Sequence, residues 1–451
     1  MIVQAPFPCI EKIRADIYHA VWRWHFYAGL LVLPFMITLS LSGGMYLFRT
    51  EIDNWYHADL KRVAVAGSVT VPPTAMVAAA LEAVPGRAIQ FIQPSAPGLT
   101  AEITVATDQG RVAVYVNPYN AAVQGILADR GTIMWTIRKL HSLEYFGKYA
   151  PYLIEIAAGW SILLVGTGVW LWWPRAQKGG IITVRSNPRR RVFWRDLHAV
   201  TGIFVAIFLL FLAVSGMPWS RVWGAKFNEL ANGHNYGYPD GLMINVPMSG
   251  HKLEDMSTTS WSLMQAMVPE SAAGGMQPIT LDQAVDKLDR LGLHVGYTVA
   301  LPDSNEGVYT GSVYPDDLSQ QRVVHLDQYT GTPLLDLSYT DYGVIAKWIE
   351  WGVNTHIGQT FGLINKIVLL AACVAIVVLA LSAAIMWWKR RPSGSLGVPP
   401  MPARKAALRG LLAILGIGGL IFPLVGASLM VMIALDTLYV RLISSRISTA
   451  V

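Results

Sequence analysis

The sequence predicts an integral membrane α-helical bundle of about five spans, internally duplicated, with two long extracytoplasmic α+β segments. Three observations predict it. Only 14% of the 451 residues are charged, against about 25% in soluble domains, and the mean hydropathy is +0.40. Apolar stretches long enough to cross a bilayer recur along the chain. The chain also repeats itself in register.

A helix needs about 20 apolar residues to cross the hydrocarbon core. Five stretches qualify and place spans at 25–48, 152–173, 198–219, 356–388 and 411–435. The last is interrupted by Gly416, Gly418, Gly419 and Pro423. The first is too long for a signal-peptide core, and no small-residue cleavage site follows it. Lys and Arg set the orientation. Residues 1–24, 174–197 and 389–409 hold 16 of them in 69 positions, whereas 49–151 and 219–355 hold 16 in 240. The N-terminus (1–24) and the basic loops 174–197 and 389–410 are therefore expected in the cytoplasm. Segments 49–151 and 220–355 are expected outside, and 436–451 forms a tail. The second outer segment carries 16 acids against 7 bases. The formal charge of +6 is thus topology charge and no signature of nucleic acid. Cys9 and Cys373 are too few and too far apart for a disulfide framework, a four-thiolate cluster or a C-x-x-C-H haem attachment.

The repeat carries the most information. His25 is followed by Gly29 at +4 and Ser42-Gly43 at +17 and +18; His198 is followed by Gly202 and Ser215-Gly216 at the same offsets. His141 is followed by Phe146-Gly147 at +5 and +6 and by Trp172-Trp173 at +31 and +32. His356 is followed by Phe361-Gly362 and Trp387-Trp388 likewise. The outer segments echo each other too. VAVYVNPYNAAVQGIL (112–127) and RVVHLDQYTGTPLLDL (322–337) each read as strand, Asn/Asp-x-Tyr turn, strand. Each follows a helix-like stretch, 74–84 and 281–291. The second copy is longer, mainly through a Met-rich insertion at 235–277 expected to have little regular structure. It holds Met243, Met248, His251, Met256, Met264, Met267 and Met276. Thioethers and imidazole suit Cu(I), which makes copper handling one alternative.

Four histidines sit at or just before the repeated spans. Topology sorts them into His25 with His198 at the cytoplasmic face and His141 with His356 at the outer face. Paired imidazoles from facing helices are what bis-His haem ligation requires, and a b-type haem needs no thioether. The expectation is two haem b groups with irons roughly 20 Å apart. Gly29 and Gly202 lie one turn from their histidines and leave room for a macrocycle. Arg23, Arg195, Arg138 and Lys139 are near enough in sequence to serve its propionates. Glu155 and Lys366 are intramembrane charges, functional candidates by default. They are expected either to pair with each other or, for Glu155, to serve a proton or quinol.

The motifs FWRDLHAVTG (193–202), VWRWHFYAG (21–29), KLHSLEYFG (139–147) and NTHIGQTFG (354–362) resemble those of the PepSY-associated transmembrane family over residues 15–392. That resemblance implies PepSY-like outer domains and an inner-membrane, haem b-containing reductase similar to siderophore-iron reductases such as ferrioxamine reductase. Electrons would enter at His25 and His198, pass to His141 and His356, and leave to a ferric siderophore or other ferric chelate in the periplasm, releasing ferrous iron. The cytoplasmic loops are too short for a nicotinamide or flavin domain, so the donor would be a quinol or a separate reductase. A PepSY-type regulatory module without redox activity is the alternative from another class, but it has no use for four registered histidines. A transporter is disfavoured because each repeat holds an even number of spans and broken helices are not evident.

Overall fold

The computed structural model describes residues 8–174, 179–232, 236–237, 248–253, 260–272 and 277–448. It divides into two compact units, Met1–Gly44 with Leu140–Ala225 and Ile367–Val451, and Met45–Lys139 with Lys226–Lys366.

The first unit is helical. Five helices are long and apolar enough to cross a membrane: Lys12–Tyr46, Pro151–Trp172, Arg191–Trp219, Gly362–Arg390 and Pro423–Arg441. The first belongs to a longer helix, Pro8–Tyr46, and the fourth begins six residues after His356 rather than at it. The fifth departs most from expectation. In place of one span at 411–435 there is a helical hairpin, Lys405–Ile421 and Pro423–Ser448, turning at Phe422. Pro423 has no N–H to continue the preceding helix, so the helix ends there. Gly419 and Gly426 let the two arms touch backbone to backbone; a Cβ on Gly419 would lie 2.6 Å from Gly426 Cα.

Contacts fix where the hairpin runs. Ala403 N–H donates to Asp16 at 2.9 Å, and Arg23 reaches the Pro399 carbonyl. The Phe422 ring lies 6.1 Å from that of Trp223, and a Cβ on Gly159 would meet Phe422 and Val425. Asp436 then returns to Arg23 and Tyr27. After Arg404 the chain therefore runs the length of the bundle twice. Ala20, Trp24, Ala28 and Val32 pack with Ala157, Trp160, Leu415 and Val425 in one buried cluster, and Val205, Ile376 and Leu379 form another.

The second unit corrects the expectation of two separate outer domains. Both sequence copies contribute to one antiparallel sheet of eight strands. The first copy supplies β1 (Arg87–Ile92), β2 (Ala101–Thr107), β3 (Gly110–Val116) and β4 (Val123–Ala128). The insertion carries a separate ribbon, β5 (Met248–Lys252) and β6 (Met267–Pro269). The second copy supplies β7 (Thr298–Ala300), β8 (Val308–Val313), β9 (Arg322–Asp327) and β10 (Pro333–Ser338). The order is β10-β9-β8-β7-β1-β2-β3-β4. The two copies meet at β1 and β7, which pair antiparallel with Phe91 opposite Val299.

Antiparallel pairing of equivalent strands gives the sheet a pseudo-twofold axis. It also removes two edges that separate domains would expose. The helices Pro73–Ala83 and Leu281–Arg290 cover one face and share a core with Phe91, Ile103, Val114, Val299 and Val324. Asp282 accepts from Thr74 N–H at 2.8 Å, joining the helices. In both hairpins the Asx residue turns the chain: Asn117 accepts from Tyr119 N–H, and Asp327 from Tyr329 and Thr330 N–H.

The insertion is more regular than expected where it is described. Trp261, Leu263 and Val268 are buried; Leu263 and Val268 close the other face of the second copy with Val308, Val323 and Leu337, and Trp261 stacks on Phe227. Glu350 anchors it, accepting from Ser262 N–H (3.1 Å) and Oγ–H (3.0 Å). Burial still pushes the Glu350 carboxyl above the usual carboxylate range. Met243, Met256 and Met276 lie outside the described residues.

Candidate functional site

Three of the four registered histidines lie in the helical unit, and each ring is held through the same nitrogen. His25 Nδ1 lies 2.9 Å from Thr167 Oγ1. His141 Nδ1 lies 3.0 Å from Ser42 Oγ. His198 Nδ1 lies 3.1 Å from the Leu379 carbonyl. The partners decide where the proton sits. A carbonyl only accepts, so His198 carries its hydrogen on Nδ1. Thr167 spends its hydroxyl hydrogen on the carbonyls of Leu163 (3.0 Å) and Leu164 (3.2 Å). Ser42 spends its own on Thr38 (2.6 Å). Each hydroxyl oxygen is therefore left to accept, and His25 and His141 are also Nδ1–H tautomers. In a neutral imidazole with its hydrogen on Nδ1, the lone pair is on Nε2.

Glycines bring two of these rings close to a helix backbone. A Cβ on Gly168 would lie 3.3 Å from His25 Cε1, and one on Gly43 3.1 Å from His141 Cε1. His25 and His198 are near enough for a charge on either ring to act on the other. Next to His25, a Cβ on Gly29 would meet nothing within 4 Å, whereas at Gly202 it would lie 3.4 Å from Leu379 Cδ1.

His356 ends the helix Val344–His356 and belongs to the sheet unit. Its surroundings in sequence repeat those of His141, which ends the helix Ile133–His141. Two residues on, Leu143 (φ 55°) and Gly358 (φ 81°) are both left-handed; six residues on, so are Gly147 (φ 100°) and Gly362 (φ 56°). The Phe-Gly motif is therefore a turn that needs glycine to restart the chain as a span.

Several expected site residues have other partners in the structure. Arg23 is 3% exposed. It is spent on Asp436, with which it forms an ion pair, and on the Pro399 carbonyl, so it is not available to a propionate. Arg195 is half-tied, donating to Asp196 at 2.6 Å. Arg138 stacks its guanidinium 4.5 Å from the Trp135 ring, and Lys139 sits in the same short helix. Glu155 and Lys366 do not pair with each other. Glu155, 1% exposed, accepts from Val222 N–H (2.9 Å) and Trp223 N–H (3.1 Å), which open the helix Trp223–Asn232. Its charge meets the positive end of that helix, which is a capping role. Lys366 pairs with Glu51 at 2.6 Å, which holds the Glu51 carboxyl below its ordinary range against burial.

Sequence reasoning missed Thr167, Gly168, Leu379 and Asp436. A signal for the first pair was present in Ser42-Gly43, whose hydroxyl-glycine order Thr167-Gly168 shares. No curated protein matches this chain. A family model of the PepSY-associated TM region matches residues 22–390. That match spans both copies of the repeat and most of the chain, and the protein belongs to the PepSY-associated TM family.

Proposed function

We propose that this chain is a di-haem b reductase of the bacterial inner membrane that delivers electrons to a ferric siderophore or other ferric chelate in the periplasm. The observation that carries the proposal is that His25, His141 and His198 are each held through Nδ1. Metal-binding imidazoles characteristically donate their second N–H to a fixed acceptor, which aims the other nitrogen and raises its basicity. Three registered histidines share that arrangement through three different acceptors. A structural histidine needs only one satisfied nitrogen of either kind, so a common tautomer at three repeat positions favours ligation.

His25 and His198 are the ligands assigned to one haem, with the open side of Gly29 as the place for a flat macrocycle. His141 and His356 are assigned to the other through the repeat. Bound haem supplies reversible one-electron chemistry. The chain supplies the ligand nitrogens, their orientation and an apolar surround. The donor is a quinol or a separate cytoplasmic reductase, and the lipid bilayer is the constant partner.

The test is a visible spectrum of detergent-purified protein, oxidised and dithionite-reduced, with a pyridine haemochrome count. Two b haems per chain with low-spin bands support the proposal. A colourless protein from haem-replete cells overturns it and moves the weight to a PepSY-type binding module. With haem present, reoxidation by a ferric chelate identifies the acceptor class.

A further inference from the structure

The Ser-Gly pair that holds His141 has a counterpart elsewhere in the chain. Ser42 Oγ is 3.0 Å from His141 Nδ1, and a Cβ on the next residue, Gly43, would lie 3.1 Å from the same ring. Thr167 Oγ1 is 2.9 Å from His25 Nδ1, and a Cβ on Gly168 would lie 3.3 Å from that ring. Two unrelated places in the chain thus use one device. A hydroxyl pinned to its own helix backbone accepts the Nδ1 hydrogen. The glycine after it lets the imidazole lie against the helix. Contacts of 3.0–3.4 Å are tighter than a β-carbon ordinarily makes, so any side chain at the glycine would push the ring aside.

The contrasting case sharpens this. Thr167 and Ser382 are equivalent in the repeat, 215 residues apart as His141 and His356 are. Ser382 is followed by Ala383, not glycine. There His198 goes to the Leu379 carbonyl, and Ser382 only donates to that same carbonyl at 2.9 Å. Where the dipeptide loses its glycine, the imidazole is not on the hydroxyl.

We infer that Thr167-Gly168 and Ser42-Gly43 are imidazole cradles, with Thr167 and Ser42 the positioning residues that fix the tautomer and aim of His25 and His141. The inference rests on the reading of those histidines as haem ligands. An Nδ1–H···O bond makes Nε2 a stronger donor and favours the ferric state. Removing the acceptor therefore raises the midpoint potential of the haem concerned.

The experiment is a potentiometric titration of the detergent-purified protein, with haem counted per chain, for Thr167→Val, Thr167→Ser, Ser42→Ala, Ser42→Thr and Gly168→Ala. Thr167→Val and Ser42→Ala are expected to raise the potential of one component each, and not the same one. Haem affinity at the altered site should fall about 10–100-fold. Thr167→Ser and Ser42→Thr should restore parental values, which separates hydrogen bonding from packing. Gly168→Ala should disturb the same component as Thr167→Val. Parental potentials and haem counts in both Thr167→Val and Ser42→Ala would overturn the inference while leaving the haem reading standing. So would a Gly168→Ala effect confined to the other component. A colourless parent protein overturns both.

Discussion

His25 and His198 occupy the same place in the duplicated sequence, yet different atoms hold them. His25 donates to a threonine hydroxyl on the span Pro151–Trp172, and His198 to a backbone carbonyl on the span Gly362–Arg390. The residue two before each histidine makes the same point with charge. It is Arg23 in one copy and Asp196 in the other, both buried. Arg23 ties the C-terminal hairpin through Asp436, whereas Asp196 gathers Arg185 and Arg195 from its own neighbourhood. The sheet repeats the lesson. Tyr115 stands opposite Glu102 in the first copy, and at the same register His325 stands opposite Thr310 in the second. Duplication preserved backbone positions, and divergence then chose how each buried polar group is satisfied. A buried group left unsatisfied costs about 1–3 kcal/mol, so each copy needed a solution of its own.

The largest expected effect tests whether the two copies are functionally equal. His25→Ala and His198→Ala should each remove the same one of two b haems, halving the haemochrome count. Loss of different haems would break the pairing.

Next comes the buried charge. Arg23→Ala strands Asp436 and should destabilise the helical unit by about 3–5 kcal/mol. Adding Asp436→Ala should recover much of that in thermal unfolding. Arg185→Ala should do far less, because that guanidinium is exposed and Arg195 still faces Asp196. Equal losses for Arg23→Ala and Arg185→Ala would erase the distinction drawn between the copies.

The sheet pairs should respond to pH in opposite directions. Burial holds His325 down to about 4, from an ordinary value of 6.5. The unfolded chain therefore binds a proton on His325 before the folded chain does. The stability that neutral His325 contributes is complete above pH 6.5 and is lost as pH falls to 4, about 3 kcal/mol in all. Burial raises the Glu102 carboxyl instead, against the opposing charge of Lys61. Its contribution is complete at low pH and is lost as pH rises through the raised value. His325→Gln should flatten the acid side of a plot of unfolding temperature against pH. An unchanged slope would sink the assignment.

The smallest effect separates a cap from a proton site. Glu155→Gln keeps an acceptor for one of the two N–H groups of Val222 and Trp223 and should leave both potentials and their pH dependence unchanged. Glu155→Ala should cost about 1–2 kcal/mol, as a lost helix cap does. A pH-dependent potential abolished by Glu155→Gln would restore the proton or quinol role.

Much of this architecture was legible in one dimension. Apolar runs fix spans because backbone in hydrocarbon must satisfy itself. The first four spans and the two Asx-turn hairpins appear where hydropathy and alternation put them. The gap-free offsets from His25, His141, His198 and His356 picked out four rings, three of which are held through Nδ1. Boundaries were less legible. Gly147 and Gly362 were visible as glycines, but their positive φ, which ends one helix and restarts another, is a property of the folded loop. In sequence the C-terminal hairpin reads as one span because Pro423 and four glycines weaken any periodic signal, and the contacts of Phe422, Asp436 and the Gly419–Gly426 pair reveal two packed arms.

The sequence by itself determined that this is a duplicated membrane protein with four histidines in register, since periodicity and offset are one-dimensional quantities. Only the tertiary structure decided that the two copies share one sheet, that Arg23 belongs to Asp436 and Glu155 to a helix end, and that three imidazoles are held through Nδ1. Each of those depends on which polar atoms lie within about 3 Å of one another. That distance is set by packing residues far apart along the chain, and no local pattern encodes it.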